Sequence, residues 1–119
     1  MQATISKQER VYDGFFKVER CQIEVERFDG GSLSIARERV IRGPAAAVLI
    51  HDTERDVWLL VEQFRPGAMA GKASPWLLEL VAGMIDPGER PEDVVRREAQ
   101  EEANVVLQTV EPLCDYWDQ

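Results

Sequence analysis

The sequence predicts an α/β chain, and three observations carry that prediction. One stretch has helical periodicity with a marked start and stop at 91–103, β-competent runs precede and follow it, and Gly43-Pro44 sets off an N-terminal block of alternating strands. The expected organisation is an antiparallel β-subdomain over 1–43, followed by a second domain over 44–119 that contains the helix. A block of 43 residues is too small to be stable alone, so it is expected to pack on a partner chain or on the rest.

The helix lies within 83–105, GMIDPGERPEDVVRREAQEEANV. Asp86-Pro87-Gly88 forms a turn, because proline presets φ and glycine takes positive φ. Pro91 suits the first helical position, and Glu92 and Asp93 complement the positive end of the dipole. Arg90 stands where Ser, Thr or Asp would cap the first amides. The helix is expected to run to about Ala103 and to stop at Asn104, the non-glycine residue that best tolerates the left-handed conformation. With Glu98 at zero, Glu102 falls at about +40° and Glu101 at about −60°, so three carboxylates share one arc. Val95, Ala99 and Ala103 form an apolar stripe beside it, which places the carboxylates next to the buried face.

The remaining elements are read in order. Residues 4–28 are strand material with Phe15, Cys21, Ile23 and Val25 on one side and charged residues largely on the other. Asp29-Gly30-Gly31 signals a hairpin into a strand over 32–42. The runs 45–51 and 57–64 predict a central hairpin around a charged turn, and a Gly/Pro-rich loop spans 65–75. The continuous apolar run 76–82 predicts a buried strand, and 105–113 alternates as a further strand after the helix.

Composition excludes several function classes. A net charge of −8 and a pI near 4.7 disfavour nucleic acid as the main partner. Cys21 and Cys114 show no Cys-x-x-Cys spacing and read as reduced thiols of a cytoplasmic protein. The single His51 rules out a multi-histidine zinc site. No apolar run is long enough to cross a membrane, and 1–10 lack the apolar centre of a leader.

Crowding of carboxylates does not by itself require a metal, because like charges at i,i+4 cost only about 0.2–0.5 kcal/mol on an exposed helix. The spacing is more informative. Gly83, Glu89, Arg97-Glu98 and Glu101-Glu102 reproduce the fixed positions of the Nudix box, with Asn104 in place of its last glycine. At ordinary residue frequencies such a match arises by accident on the order of 10⁻⁵ or less. The chain therefore resembles the Nudix hydrolase superfamily. Gly14-Phe15-Phe16 and the runs 37–43, 62–65 and 75–85 further resemble the bacterial ADP-ribose pyrophosphatases.

The resemblance implies an α/β/α sandwich with a mixed sheet, expected here to be shortened at its C-terminal end. The chain is expected to be either a piece of a longer one or a naturally shortened copy. It also implies Mg²⁺-dependent hydrolysis of the diphosphate linkage of ADP-ribose to AMP and ribose 5-phosphate, with Mn²⁺ as an alternative ion. Such ions prefer the hard oxygen donors present here. Glu98, Glu102 and the Ala82 carbonyl would be metal ligands, and Glu101 a further ligand or acid/base group. Glu89 and Arg97 would form an ion pair bracing the loop on the helix. Arg65 would grip a phosphate, Arg37 and Glu38 would contact substrate, and Met84 would lie by the ribose or phosphate. A homodimer with swapped N-terminal strands would bring Phe15 or Phe16 onto the adenine, and either phenylalanine also reads as subdomain core. The water-activating acid has no matching position, although Asp115 and Asp118 stand near the end of the chain. The competing readings are a hydrolase of another nucleoside-diphosphate sugar, a shortened non-catalytic ligand-binding or dimerisation module, and a fragment that does not fold alone.

Overall fold

The computed structural model describes residues 1–71 and 74–117. Parts of the 65–75 loop and the candidate Asp118 therefore lie outside the described residues. Two compact units are present, Met1–Arg42 and Gly43–Gln119.

The first unit is an antiparallel sheet in the order β1 (Ala3–Asp13), β2 (Lys17–Glu26) and β3 (Ser32–Ile41). The 29–31 hairpin forms, with Gly30 and Gly31 at φ of 89° and 81°. The strand material expected over 4–28 divides into β1 and β2, because the chain reverses at Gly14-Phe15-Phe16. There the Gly14 N–H donates to the Phe16 carbonyl at 3.1 Å, and the Tyr12 ring occupies the space a Gly14 side chain would need. Periodicity alone cannot register this reversal, since charged and apolar residues continue to alternate on both sides of it. Phe15 is consequently 90 % exposed and Phe16 45 %, so neither is core.

The apolar side of β2 has one charged exception. Glu19 is buried beside Cys21 and accepts hydrogen bonds from Arg10 on β1 at 3.0 Å and Arg39 on β3 at 2.9 Å. These are register partners across the sheet, so neutralisation follows directly from strand pairing. The Arg39 bond, followed by that of Arg10, holds the Glu19 carboxyl down at about 2, from an ordinary 4.5. A depressed carboxyl contributes stability that is fully present above its unfolded value and lost as pH falls through the folded one. Between pH 4.5 and pH 2, the urea-unfolding midpoint should therefore fall more steeply in the native chain than in Glu19→Gln. Parallel pH profiles for the two proteins would overturn this assignment.

The second unit contains β4 (Ala45–Val48), β5 (Ile50–Asp52), β6 (Val57–Leu59), β7 (Val61–Phe64), β8 (Trp76–Glu79), β9 (Val81–Met84) and α1 (Pro91–Ala103). Its strand pairs are β4 with β9, β5 with β6, and β7 with β8, all antiparallel. The expected hairpin of 45–51 with 57–64 is thus confined to β5 and β6, and the outer parts of both runs take other partners. The buried strand expected at 76–82 is interrupted at Leu80, and Trp76, Leu77 and Leu78 are exposed. After α1 no strand forms among the described residues. Val105 and Leu107 instead pack on the core, and Arg96 Nη1 donates to the Leu107 carbonyl at 2.5 Å. Alternation supplies apolar contacts, but a strand also requires a backbone partner.

The core gathers Ile50, Val81 and Ala99, with Val48, Leu59 and Val61 packed around them. Helix α1 lies against β9 and β4. No side chain caps its N-terminus, where Arg90 instead pairs with Asp93 at 2.7 Å. Asn104 ends it in the left-handed region at φ 53° and ψ 40°. The Asn104 N–H donates to Gln100 O at 3.2 Å and the Val105 N–H to Ala99 O at 3.0 Å, satisfying carbonyls the last turn would leave open. Val94, omitted from the expected apolar stripe, is fully buried. It falls at about −40° from Glu98, so the buried face runs from Val94 across Glu98 to Val95 and Ala99. Glu98 therefore sits within that face, not beside it.

Candidate functional site

The loop entering α1 is closed by its own side chains. Glu89 N–H donates to the Asp86 carbonyl at 3.0 Å, and the Glu89 carboxylate accepts the Asp86 N–H at 2.9 Å. Gly88 supplies the positive φ of 89° that this reversal needs. Glu89 is thereby held within 3.5 Å of Arg97 on α1. Arg97 is a hub, because it also bonds Glu98 Oε1 at 2.6 Å and lies 3.8 Å from Glu101.

Glu98 is the most enclosed of the three helix carboxylates, with 14 % of its side chain exposed against 61 % for Glu101. The space it fills exists because position 83 on β9 is glycine, where any Cβ would collide with the Glu98 carboxylate. One turn further, Glu102 Oε1 accepts a hydrogen bond from Gln63 Nε2 at 2.8 Å. Gln63 Oε1 in turn accepts from Arg65 Nη2 at 2.5 Å, and Arg65 forks onto Glu79 at 2.6 and 2.9 Å. The Arg65 bond lowers the pKa of Glu79, and the Glu79 bond raises that of Arg65, with Glu102 adding a smaller raising effect.

The donor chemistry at this place fits a hard divalent cation. Glu98 and Glu102 are carboxylates one helical turn apart, and the glycine at 83 lets the Glu98 carboxylate lie directly against β9. The Ile85 N–H donates to the Pro44 carbonyl, which fixes the phase of the β4–β9 ladder. In an antiparallel ladder the bonded pairs alternate, so the Ala82 carbonyl turns away from β4 and is not spent on it. Among the described residues, no three His, Cys, Asp or Glu side chains already converge as a cation site. The fitting set is two carboxylates and a carbonyl.

The second unit thus brings together Glu89, Arg97, Glu98 and Glu101 on one side, and Arg65 with Glu102 through Gln63 on the other. Met84 ends β9, with its methyl close to Gly43. Phe15, Phe16, Arg37 and Glu38 belong to the first unit. The phenylalanine rings meet edge to face at 4.9 Å, and Glu38 accepts from Arg20 at 3.1 Å. Asp115 lies in an exposed segment without strand or helix. Sequence reasoning did not single out Gln63 or Glu79. The available signal was a lone carboxylate inside the apolar run 76–82, and a glutamine two residues before Arg65 on one strand face.

Known proteins resemble this chain over most of its length. A NUDIX domain is matched over residues 41–118. The chain is 42 % identical over 115 residues to the ADP-ribose pyrophosphatase of Haemophilus influenzae, covering 93 % of this chain and 53 % of that protein. It is 34 % identical over 102 residues to the GDP-mannose pyrophosphatase of Yersinia pestis, covering 85 % of this chain and 51 % of the other. The chain spans about half the length of the curated relatives it matches. A solved structure described as an ADP compounds hydrolase superimposes with a TM-score of 0.63 at 27 % identity, over 87 % of this chain and 51 % of that one. The box residues, their packing against β9 and these similarities lead to one statement: the chain belongs to the NUDIX domain family.

Proposed function

We propose that this chain takes part in hydrolysing the diphosphate linkage of ADP-ribose, giving AMP and ribose 5-phosphate. The observation that carries the proposal is the enclosed Glu98, seated against Gly83 with Glu102 one turn on and linked through Gln63 to Arg65. The 42 % identity to a pyrophosphatase of that substrate supports the choice of ADP-ribose. In the reaction, a water oxygen bonds to one phosphorus and the anhydride P–O bond breaks.

Glu98, Glu102 and the Ala82 carbonyl would hold Mg²⁺, or Mn²⁺ in its place. When bound, the ion supplies positive charge against the diphosphate and lowers the pKa of water. Arg97, tied to Glu89 and Glu98, holds the loop on the helix and sets the Glu98 carboxylate. Among the described residues Glu101 has only the 3.8 Å pair with Arg97, which leaves it the carboxylate best suited to take the proton of the attacking water. Arg65, among the described residues, commits Nε and Nη2 to Glu79 and Gln63, leaving Nη1 for a phosphate oxygen. Met84 would flank the ribose or phosphate, and Arg37 and Glu38 would contact substrate from the first unit. The free thiols Cys21 and Cys114 suit a cytoplasmic setting, and among the described residues no helix is long and apolar enough to cross a membrane.

The first unit would pair two chains by exchange of N-terminal strands, with Phe15 or Phe16 of one chain stacking on the adenine bound by the other. Every residue of the edge strand β1 is exposed, which supports a protein partner for that edge. Sedimentation should show a dimer, and a monomer at every concentration would remove this part of the proposal.

The function is tested by AMP release from ADP-ribose with and without Mg²⁺, with GDP-mannose turned over in parallel. Mg²⁺-dependent AMP release is expected. Preferential cleavage of GDP-mannose would move the substrate to the alternative represented among the relatives. A cooperatively folded chain releasing neither nucleotide would favour a non-catalytic ligand-binding or dimerisation module.

A further inference from the structure

We infer that Gln63 is a positioning residue that couples the helix carboxylate Glu102 to Arg65, an inference that rests on the site proposed above. The side chains Glu79, Arg65, Gln63 and Glu102 form one continuous chain of hydrogen bonds from β8 through β7 to the last turn of α1. Its polarity is forced. A guanidinium only donates and a carboxylate only accepts, so the amide between them must turn Oε1 to Arg65 and Nε2 to Glu102. The orientation of the amide is therefore fixed by its neighbours on both sides.

A neutral amide meets both demands at once. An apolar side chain at 63 would satisfy neither, and a carboxylate there would oppose Glu102. The bond occupies Oε1 of Glu102 and, among the described residues, leaves Oε2 without a protein partner. Gln63 thus restricts the rotation of an otherwise exposed glutamate and keeps one of its oxygens available. Glu79 anchors the opposite end through its fork with Arg65. The carboxylate proposed to hold a cation and the arginine proposed to hold a phosphate are then set relative to each other by one residue on β7.

The test is Mn²⁺ binding to this chain, read by electron paramagnetic resonance, for the native protein, Gln63→Met, Glu102→Gln and Gln100→Met. Loss of a residue that orients a metal ligand typically costs about 10–100-fold in affinity. Gln63→Met should weaken Mn²⁺ binding about 10-fold with thermal melting unchanged, and Glu102→Gln should weaken it further. Gln100→Met removes an amide bonded to Asn104 at 2.9 Å on the same helix and should leave affinity unaltered. Weakening by Glu102→Gln but not by Gln63→Met overturns the inference and leaves the site reading standing. Native affinity in both variants overturns both. As a measurement independent of any variant, Mg²⁺ should shift the Gln63 side-chain amide resonances in the native chain, and resonances that stay in place would also overturn the inference.

Discussion

Glu102→Gln should lower Mg²⁺-dependent AMP release from ADP-ribose by more than about 100-fold, above the range typical of residues that merely support a ligand. Glutamine keeps the length of the side chain, and its carbonyl still accepts the Gln63 amide, so the 2.8 Å bond to β7 survives in kind. Only the negative charge is lost. Glu102 is exposed on the helix, so stability should change by no more than about 0.5 kcal/mol. The result separates chemistry from folding: activity falls while the melting temperature stays. Native turnover in a folded Glu102→Gln chain would remove Glu102 from the metal ligands. A parallel loss of stability and activity would instead make it a structural residue.

The second large effect is expected at Gly83. The backbone of Gly83 is not in the left-handed region, so conformational freedom is not the reason for glycine there. The constraint is space, because Glu98 fills the volume a Cβ would occupy. In Gly83→Ala either the carboxylate or the β9–α1 packing must shift. Overpacking of this kind costs about 1–3 kcal/mol. Relief by moving Glu98 would break its 2.6 Å bond with Arg97 and loosen the hub that also reaches Glu89 and Glu101. The expected outcome is a lower unfolding midpoint together with at least about 10-fold weaker Mn²⁺ binding. Unchanged stability and unchanged binding in Gly83→Ala would show that the site adapts and that the close approach carries no function.

Both predictions concern residues already visible as a spacing. The positions of Gly83, Glu89, Arg97, Glu98, Glu101 and Glu102 were legible because the motif lies within 20 consecutive residues, most of them in one helix. The limits of α1 were legible for the same reason, with Pro91 at its start and Asn104 at its end. The strand pairings were less so. The β-competent runs 45–51 and 57–64 suited a central hairpin, yet β4 pairs with β9 and β7 with β8. Periodicity reports which face a side chain takes but not which strand lies beside it. The reversal at Gly14, and the strand expected over 105–113 that does not form among the described residues, have that same origin.

By itself, then, the sequence determined the helix, its ends, the carboxylate spacing and the family, because these depend on residues near one another along the chain. Tertiary structure alone decided three matters. Burial of Val94 moves Glu98 inside the packed face of α1. The missing side chain of Gly83 receives the Glu98 carboxylate. Gln63 reaches Glu102 across 39 positions of sequence and carries Arg65 and Glu79 with it. Each requires segments remote in sequence to pack together, and hydrogen-bond partners brought close in that way leave no periodic trace in the chain that encodes them.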